Sequence, residues 1–268
     1  MANNTSTLTA QLERILAGSI PLQTPALPDV RKFCTILPLD DVAPGAKANI
    51  PVVSAVQAVQ ENPASFENSG DTVDLAQVTP VHLSGQFGFS APENASGMDL
   101  RMLLQSHLTK LQSAILAKIY AVLTTANYGV ADTVSSAAWA EANLQAMLTA
   151  VPNRTALVLE TAYWSKVRSD WLPPGSEAVL AECSTWTGAE ANVVGFAARP
   201  EAIALGVGYP LAGPGDGLQT RKISLPIGLD VQMSHWFQRH GRAWRASLDI
   251  ILAPEVGQSG ALRLLKSA

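Results

Sequence analysis

The clearest pattern of hydrophobic and polar positions lies in residues 81–127. From Val81 to Phe89, apolar and polar residues alternate, and this period of two predicts a strand with one buried face. After a polar turn, apolar residues recur at spacings of three and four from Leu100 to Leu123, which predicts a helix of roughly seven turns with one apolar stripe. At 1.5 Å per residue this helix is about 40 Å long, so it should cross most of the molecule.

The segments that precede this strand are predicted to be extended. Residues 1–48 begin with a short apolar-periodic stretch and then contain five prolines, which prevent a regular helix or ladder and predict an arm lying over another part of the structure. Residues 49–79 contain two runs of small and β-branched residues around a polar tip, which predicts a long hairpin. A two-stranded hairpin with few large side chains is unstable alone, so we expect it to pack on a neighbour through Phe66. A disordered loop within one domain is the alternative interpretation.

The residues beyond the long helix predict a second domain and a return to the first β layer. Residues 130–219 alternate between helices and apolar strands, with helices predicted from Ser135 and over 201–206, and this alternation indicates an α/β domain. Residues 220–268 are predicted to return to the layer beside the long helix. The strands predicted in this last segment are Leu225–Phe237, Ala243–Leu252 and Ala261–Leu265.

Composition favours a protein whose surface is covered by partners. Only 15% of the residues are charged, which is low for a soluble monomer, although a large core would give the same value. The net charge of −4 does not indicate a nucleic-acid-binding module. Cys34 and Cys183 fit no CxxC pattern, and we expect reduced thiols. Arg14 is the first basic residue and no run resembles a membrane span, so we expect a soluble protein without a secretory signal.

The sequence contains none of the common catalytic patterns, such as GxSxG, SxxK, HExxH or a P-loop, and its four histidines have no metal-like spacing. We therefore predict no catalytic residue, cofactor or metal site. The basic and aromatic run from Trp236 to Arg245, with Arg239 and Arg242, could contact a phosphate backbone. We favour the alternative, in which the aromatic residues pack on the long helix and the arginines face solvent or another subunit.

Four stretches of this chain resemble, in the same order, those of a known family. They are Ile50-Pro51-Val52-Val53, the strand and helix from Val81 to Leu123, the run from Val193 to Ala204, and the run from Gly241 to Leu264. Together they resemble the major capsid protein of tailed bacteriophages, of the Hong Kong 97 type. The resemblance covers nearly the whole chain.

The resemblance implies an α+β capsid fold in five parts: an N-terminal arm (1–48), an extended hairpin loop (49–79), the strand and spine helix of a peripheral domain (80–129), an inserted α/β axial domain (130–219), and the returning peripheral β hairpin with a closing strand (220–268). It implies pentamers and hexamers that enclose double-stranded DNA in a virion assembled in the bacterial host cytoplasm. A separate scaffolding protein, a portal and a decoration protein are the other implied partners, without a membrane or a cofactor.

In such a shell we expect the arm, the hairpin loop and the basic bend to contact neighbouring subunits, and hinges at 124–130 and 213–220 to adjust curvature. The predicted assembly contacts are Leu12, Ile15, Val52, Val53, Phe66, Glu67, Arg239 and Arg242. An encapsulin-like nanocompartment shell has the same order of elements and is the first alternative. A small-molecule enzyme with its α/β domain at 130–219 is the second, and it is disfavoured because no nucleophile, base or cofactor loop can be named.

Overall fold

Two β-sheets, a separate hairpin and one long helix form the protein in a computed structural model that describes residues 27–39, 47–55, 72–90, 97–210, 219–238 and 243–268. The strands are β1 (Cys34–Pro38), β2 (Ala48–Ala55), β3 (Thr72–Val78), β4 (Val81–Ser90), β5 (Val130–Thr133), β6 (Ala156–Glu160), β7 (Leu180–Cys183), β8 (Val193–Ala198), β9 (Ile203–Gly208), β10 (Gln219–Ser224), β11 (Asp230–Gln238), β12 (Ala243–Val256) and β13 (Leu262–Lys266). The helices are α1 (Gly97–Tyr120), α2 (Thr125–Tyr128), α3 (Glu141–Ala150) and α4 (Thr161–Trp164).

The larger sheet has six strands and is built around β12. Its order is β1-β9-β12-β11-β10, and β4 pairs with the other edge of β12. All neighbours are antiparallel except β1 and β9. Along β4, buried or half-buried positions alternate with exposed ones from Val81 to Gly88, which confirms the predicted one-faced strand. The ring of Phe87, on its inner face, stacks on that of His107 in α1 at a centroid distance of 4.8 Å.

Helix α1 packs its apolar stripe against this sheet and is shorter than predicted. It has 24 residues, about 36 Å, and ends at Tyr120. A second short helix, α2, starts after Thr124, whose hydroxyl accepts a hydrogen bond from the Asn127 amide at 3.3 Å. Gly129, with φ of +69°, ends α2. The buried residues of the stripe are Leu104, Leu108, Leu111, Ile115, Leu116 and Ile119.

The second sheet has five strands in the order β5-β13-β8-β6-β7. Helix α3 covers one face through Leu144 and Met147. The other face contributes to the same core as α1, because Phe196 in β8 packs edge-on against Phe33 and Tyr120, at centroid distances of 5.1 and 6.2 Å. The two sheets therefore share one hydrophobic core.

Two strands differ from prediction: β13 belongs to another sheet, and β9 takes the place of a predicted helix. The closing strand β13 pairs with β5 and β8 and not with the β layer beside α1. Leu262, Leu264 and Leu265 are all fully buried, so this strand needs a neighbour on each face, as a central strand has. The segment 203–206, predicted as helix, is the first part of β9 and lies between β1 and β12. Only a 3₁₀ turn at Pro200–Ala202 remains of the predicted helix, because pairing on both edges overrides local preference.

Three other boundaries also differ from prediction. The run Leu225–Phe237 is not one strand: residues 225–229 form a turn with Gly228 at φ of +81°, and β10 and β11 flank it. The helix predicted from Ser135 begins at Glu141, after a 3₁₀ turn, where the Asn143 side chain accepts a hydrogen bond from the Ala140 amide at 3.0 Å. The predicted arm also contributes to the core, because Phe33 is buried and β1 pairs with β9.

Candidate assembly surfaces

Two of the eight predicted assembly residues lie in the described part of the chain. Val52 is half-buried in β2 and packs against the small cluster formed by Ile50, Ala204 and Ala253. Val53 lies opposite Val73 in the β2–β3 ladder. The others lie outside the described residues; they are Leu12, Ile15, Phe66, Glu67, Arg239 and Arg242.

The hairpin formed by β2 and β3 has a buried face and an open face. The two strands pair antiparallel, as predicted for the limbs. Ile50, 1% exposed, packs on Ala204 and Ala253 of the six-stranded sheet, so the hairpin leans on its own subunit at this point. On the opposite face Pro51 lies across from Leu75, and Leu75 is 65% exposed. Leu75 therefore presents exposed apolar surface that a partner can cover.

The outer side of α1 carries a second open apolar position. Met102 is 63% exposed and forms one end of a groove of about 430 Å³ along the helix. Ser106, Thr109 and Lys110 continue the lining of this groove. Neither the hairpin face nor this helix face could be located from the sequence, because both depend on which side of each element the rest of the chain covers.

The basic and aromatic run is placed differently from prediction. In the ladder, Trp236 lies opposite Arg245, and Arg245 lies opposite Gly88. Directly opposed residues share a face, and the adjacent residue Phe87 is on the face that packs on α1. Trp236 therefore lies on the face away from α1, which shows that the predicted packing on the helix is wrong for this residue. Arg245 is exposed there, as predicted.

A polar cluster holds the start of the short helix α2 against the five-stranded sheet. The Glu190 carboxylate accepts hydrogen bonds from the Thr125 hydroxyl at 3.1 Å and from the Thr125 amide, and its Oε1 lies 2.7 Å from Lys266 Nζ. The hydrogen bond from Lys266, and then those from Thr125, lower the pKa of Glu190 to about 2. The hinge at 124–130 stays a prediction, and motion there would have to break or carry along these contacts. Nothing in the sequence indicated the cluster, because its members are far apart in the chain.

The described residues contain little that suggests catalysis. Among them, no group of three or more His, Cys, Asp and Glu side chains could hold a metal ion. His82 Nε2 lies 3.0 Å from Asp249 Oδ1, and Asp249 is buried. Both cysteines are free and buried, and burial raises the pKa of each thiol. No helix in the described part of the chain is both long and apolar enough to span a membrane.

The described residues form a mixed α+β structure whose fold is similar to that of solved capsid proteins of the Hong Kong 97 type, so the predicted fold class is confirmed. The arm and the role of the long helix as a spine stay predictions. No family model matches the chain, and no curated protein sequence matches it.

Solved capsid structures match nearly the whole chain in fold. A virus-like particle from Pyrococcus furiosus is similar with a TM-score of 0.57 at 10% identity, over 97% of this chain and 99% of the other. The capsid of cyanophage P-SCSP1u is similar with a TM-score of 0.55 at 10% identity, over 94% of this chain and 91% of the other. The capsid of a native GTA particle is similar with a TM-score of 0.52 at 11% identity, over 91% of this chain and 97% of the other. At these low sequence identities the similarity establishes the fold alone.

Proposed function

We propose that this protein is the major capsid protein of a tailed bacteriophage, a structural subunit without catalytic activity. It self-assembles into pentamers and hexamers of an icosahedral head that encloses double-stranded DNA, and its location is the virion. The observation that carries the proposal is the match of nearly the whole chain to capsid folds. The division into arm, hairpin loop, peripheral domain and axial domain belongs to the same proposal, with β9 and β13 reassigned as their pairing requires.

The assembly mechanism we propose is physical. The open face of the hairpin, with Leu75, and the outer face of α1, with Met102, are separate surfaces of one subunit. Contact between different surfaces of successive copies is heterologous and builds rings and lattices. Burial of each exposed apolar side chain contributes about 1–2 kcal/mol, and repetition around a ring makes assembly cooperative. The low charged fraction of 15% suits surfaces that become covered. Scaffolding, portal and decoration proteins are further proposed partners.

Electron microscopy and gel filtration of the purified protein test this proposal. We expect capsomers or closed shells in the megadalton range, and a stable monomer of 28.3 kDa would contradict it. If the protein alone gives only capsomers, co-expression with its scaffolding protein should convert them to shells. Nuclease-resistant DNA in particles from infected cells would identify a phage head. Particles filled with one cargo protein would instead identify the encapsulin-like alternative.

A further inference from the structure

Strand β4 forms one edge of the six-stranded sheet. Among the described residues it pairs only with β12, from Val81 to Ser90. Its second edge, ten residues long, therefore presents backbone amide and carbonyl groups that no strand in the described part of the chain covers. Such an edge can pair with a strand of another molecule.

The sequence of β4 lacks the residues that block pairing at an edge. Charged residues and proline are the usual protection of an exposed edge strand. Every other edge strand in the described part of the chain contains at least one of them, whereas β4 contains neither, and β4 is also the longest of these strands. The protecting residues are Pro38 in β1, Pro51 in β2, Asp74 in β3, Asp132 in β5, Glu182 in β7 and Lys222 in β10.

The face of β4 that packs on α1 is complementary to a second, antiparallel copy of the same strand. When the two strands are centred on Gly85, the two copies of this glycine are opposed and no side chains collide at the centre. Leu83 then lies opposite Phe87, and Val81 lies opposite Phe89, so each ring meets an aliphatic side chain. Leu83 is only partly buried in its own subunit, and this pairing would cover it further.

The outer face of β4 accepts the same register. Ser84 lies opposite Gln86 of the other copy, and both side chains are exposed in the subunit. His82 lies opposite Gly88, so neither outer pair brings like charges together. A register centred on Gln86 would instead set the Phe87 ring against a glycine, which favours the register centred one residue earlier.

We infer that β4 pairs with β4 of a second copy about a two-fold axis at Gly85, so that two six-stranded sheets join into one. This contact is isologous, because the same residues meet from both sides. The contacts proposed for Leu75 and Met102 are heterologous and build a ring, whereas a two-fold contact joins one ring to the next. A strand of an unrelated protein could also cover the edge, but the match of β4 to itself favours a second copy. The inference rests on the proposed self-assembly and names a contact within it.

Mixed cysteine crosslinking in assembled particles tests the register. Ser84→Cys and Gln86→Cys are made in two differently tagged copies, which are then assembled together. Directly opposed Cα atoms are about 4.5–5.5 Å apart, within the range of a disulfide. The mixture should therefore give a disulfide between the two tags. The native cysteines are buried and should not compete.

Each cysteine variant assembled alone is the matched control. Identical residues of the two copies are then diagonal neighbours, at about 7–8 Å, which is too far for a disulfide without backbone movement. The mixture should give at least ten times the disulfide yield of either variant alone.

Charge variants at the same two exposed positions test whether the contact joins rings. Ser84→Lys with Gln86→Lys sets like charges opposite each other twice, and it should lower the yield of closed shells at least ten-fold while capsomers still form. Ser84→Lys with Gln86→Glu sets opposite charges there, and it should restore the shells. Electron microscopy and analytical ultracentrifugation distinguish shells from capsomers.

Shells without the mixed disulfide, or with equal disulfide in the single-variant controls, would overturn the inference and leave the proposed function intact. Equal shell yields from the two charge variants would also overturn it. A crosslink from either cysteine to an unrelated protein, in place of the mixed disulfide, would overturn it in favour of a foreign strand at this edge. Failure of the unaltered protein to form capsomers or shells would instead refute the proposed function.

Discussion

Lys266, in the last strand, forms an ion pair with Glu190 at 2.7 Å, and both side chains also hydrogen-bond Thr125 at the start of α2. Three segments that are distant in the sequence are therefore held at one point. Because the carboxylate accepts charge-assisted hydrogen bonds only when ionised, the joint is sensitive to acid.

The first prediction concerns this sensitivity. The folded state lowers the pKa of Glu190 from 4.5 to about 2, so its stabilisation is fully present above pH 4.5 and is lost as the pH falls towards 2. Glu190→Gln should therefore lower the Tm of the protein at pH 7, and the difference from the unaltered protein should shrink through this range. Thermal unfolding followed by circular dichroism measures it. A difference that stays constant down to pH 2.5 would contradict the assignment.

The second prediction concerns the open face of the hairpin. Leu75→Asp should leave the free energy of unfolding within about 0.5 kcal/mol, because this side chain is mostly exposed in the subunit. It should strongly reduce the yield of capsomers and particles, because the partner would then have to bury a charge. Analytical ultracentrifugation measures the yield. Gln77→Asp, on the same face of β3, is the control and should have a smaller effect. Equal yields from Leu75→Asp and the unaltered protein would exclude this surface.

The third prediction concerns the core shared by the two sheets. Phe196 is fully buried and contacts the rings of Phe33, Tyr120 and Trp186. Phe196→Ala should lower the free energy of unfolding by about 3–5 kcal/mol through the cavity that it leaves. Urea denaturation of the unassembled subunit measures this. Trp164→Ala, at a partly exposed site, should cost much less, and similar losses from both variants would argue against a shared core.

The fourth prediction concerns the thiols. Cys34 and Cys183 are buried, and desolvation raises the pKa of each thiol, so little thiolate is present at neutral pH. A thiol-specific reagent should label the native protein at least a hundred-fold more slowly than the denatured protein. Rapid stoichiometric labelling of the native state at pH 7 would show that one of these sites opens readily.

Elements are predicted correctly from the sequence where the period of their hydrophobic residues matches the pattern of burial in the structure. β4 alternates because one face is covered by α1, and α1 itself has a clear stripe. β9 and β13 are buried on both faces, so their residues do not alternate between apolar and polar. For this reason β9 was predicted as a helix, and β13 was predicted in the wrong sheet. In the candidate surfaces, exposure of Leu75 and the face of Trp236 depend on tertiary packing and register. These properties could not be derived from local patterns.

Strand β12 has 14 residues and is the longest strand in the described part of the chain. Its C-terminal half supports the hairpin at Ala253, and its N-terminal half carries Arg245. If neighbouring copies contact the hairpin, as proposed for its open face, the backbone of β12 receives the load through Ala253. Its ladders with β4, β9 and β11 would have to slip together before the strand could yield. Each subunit would then act as a nearly inextensible link, and a shell under load would fail at contacts between subunits before the subunits themselves unfolded.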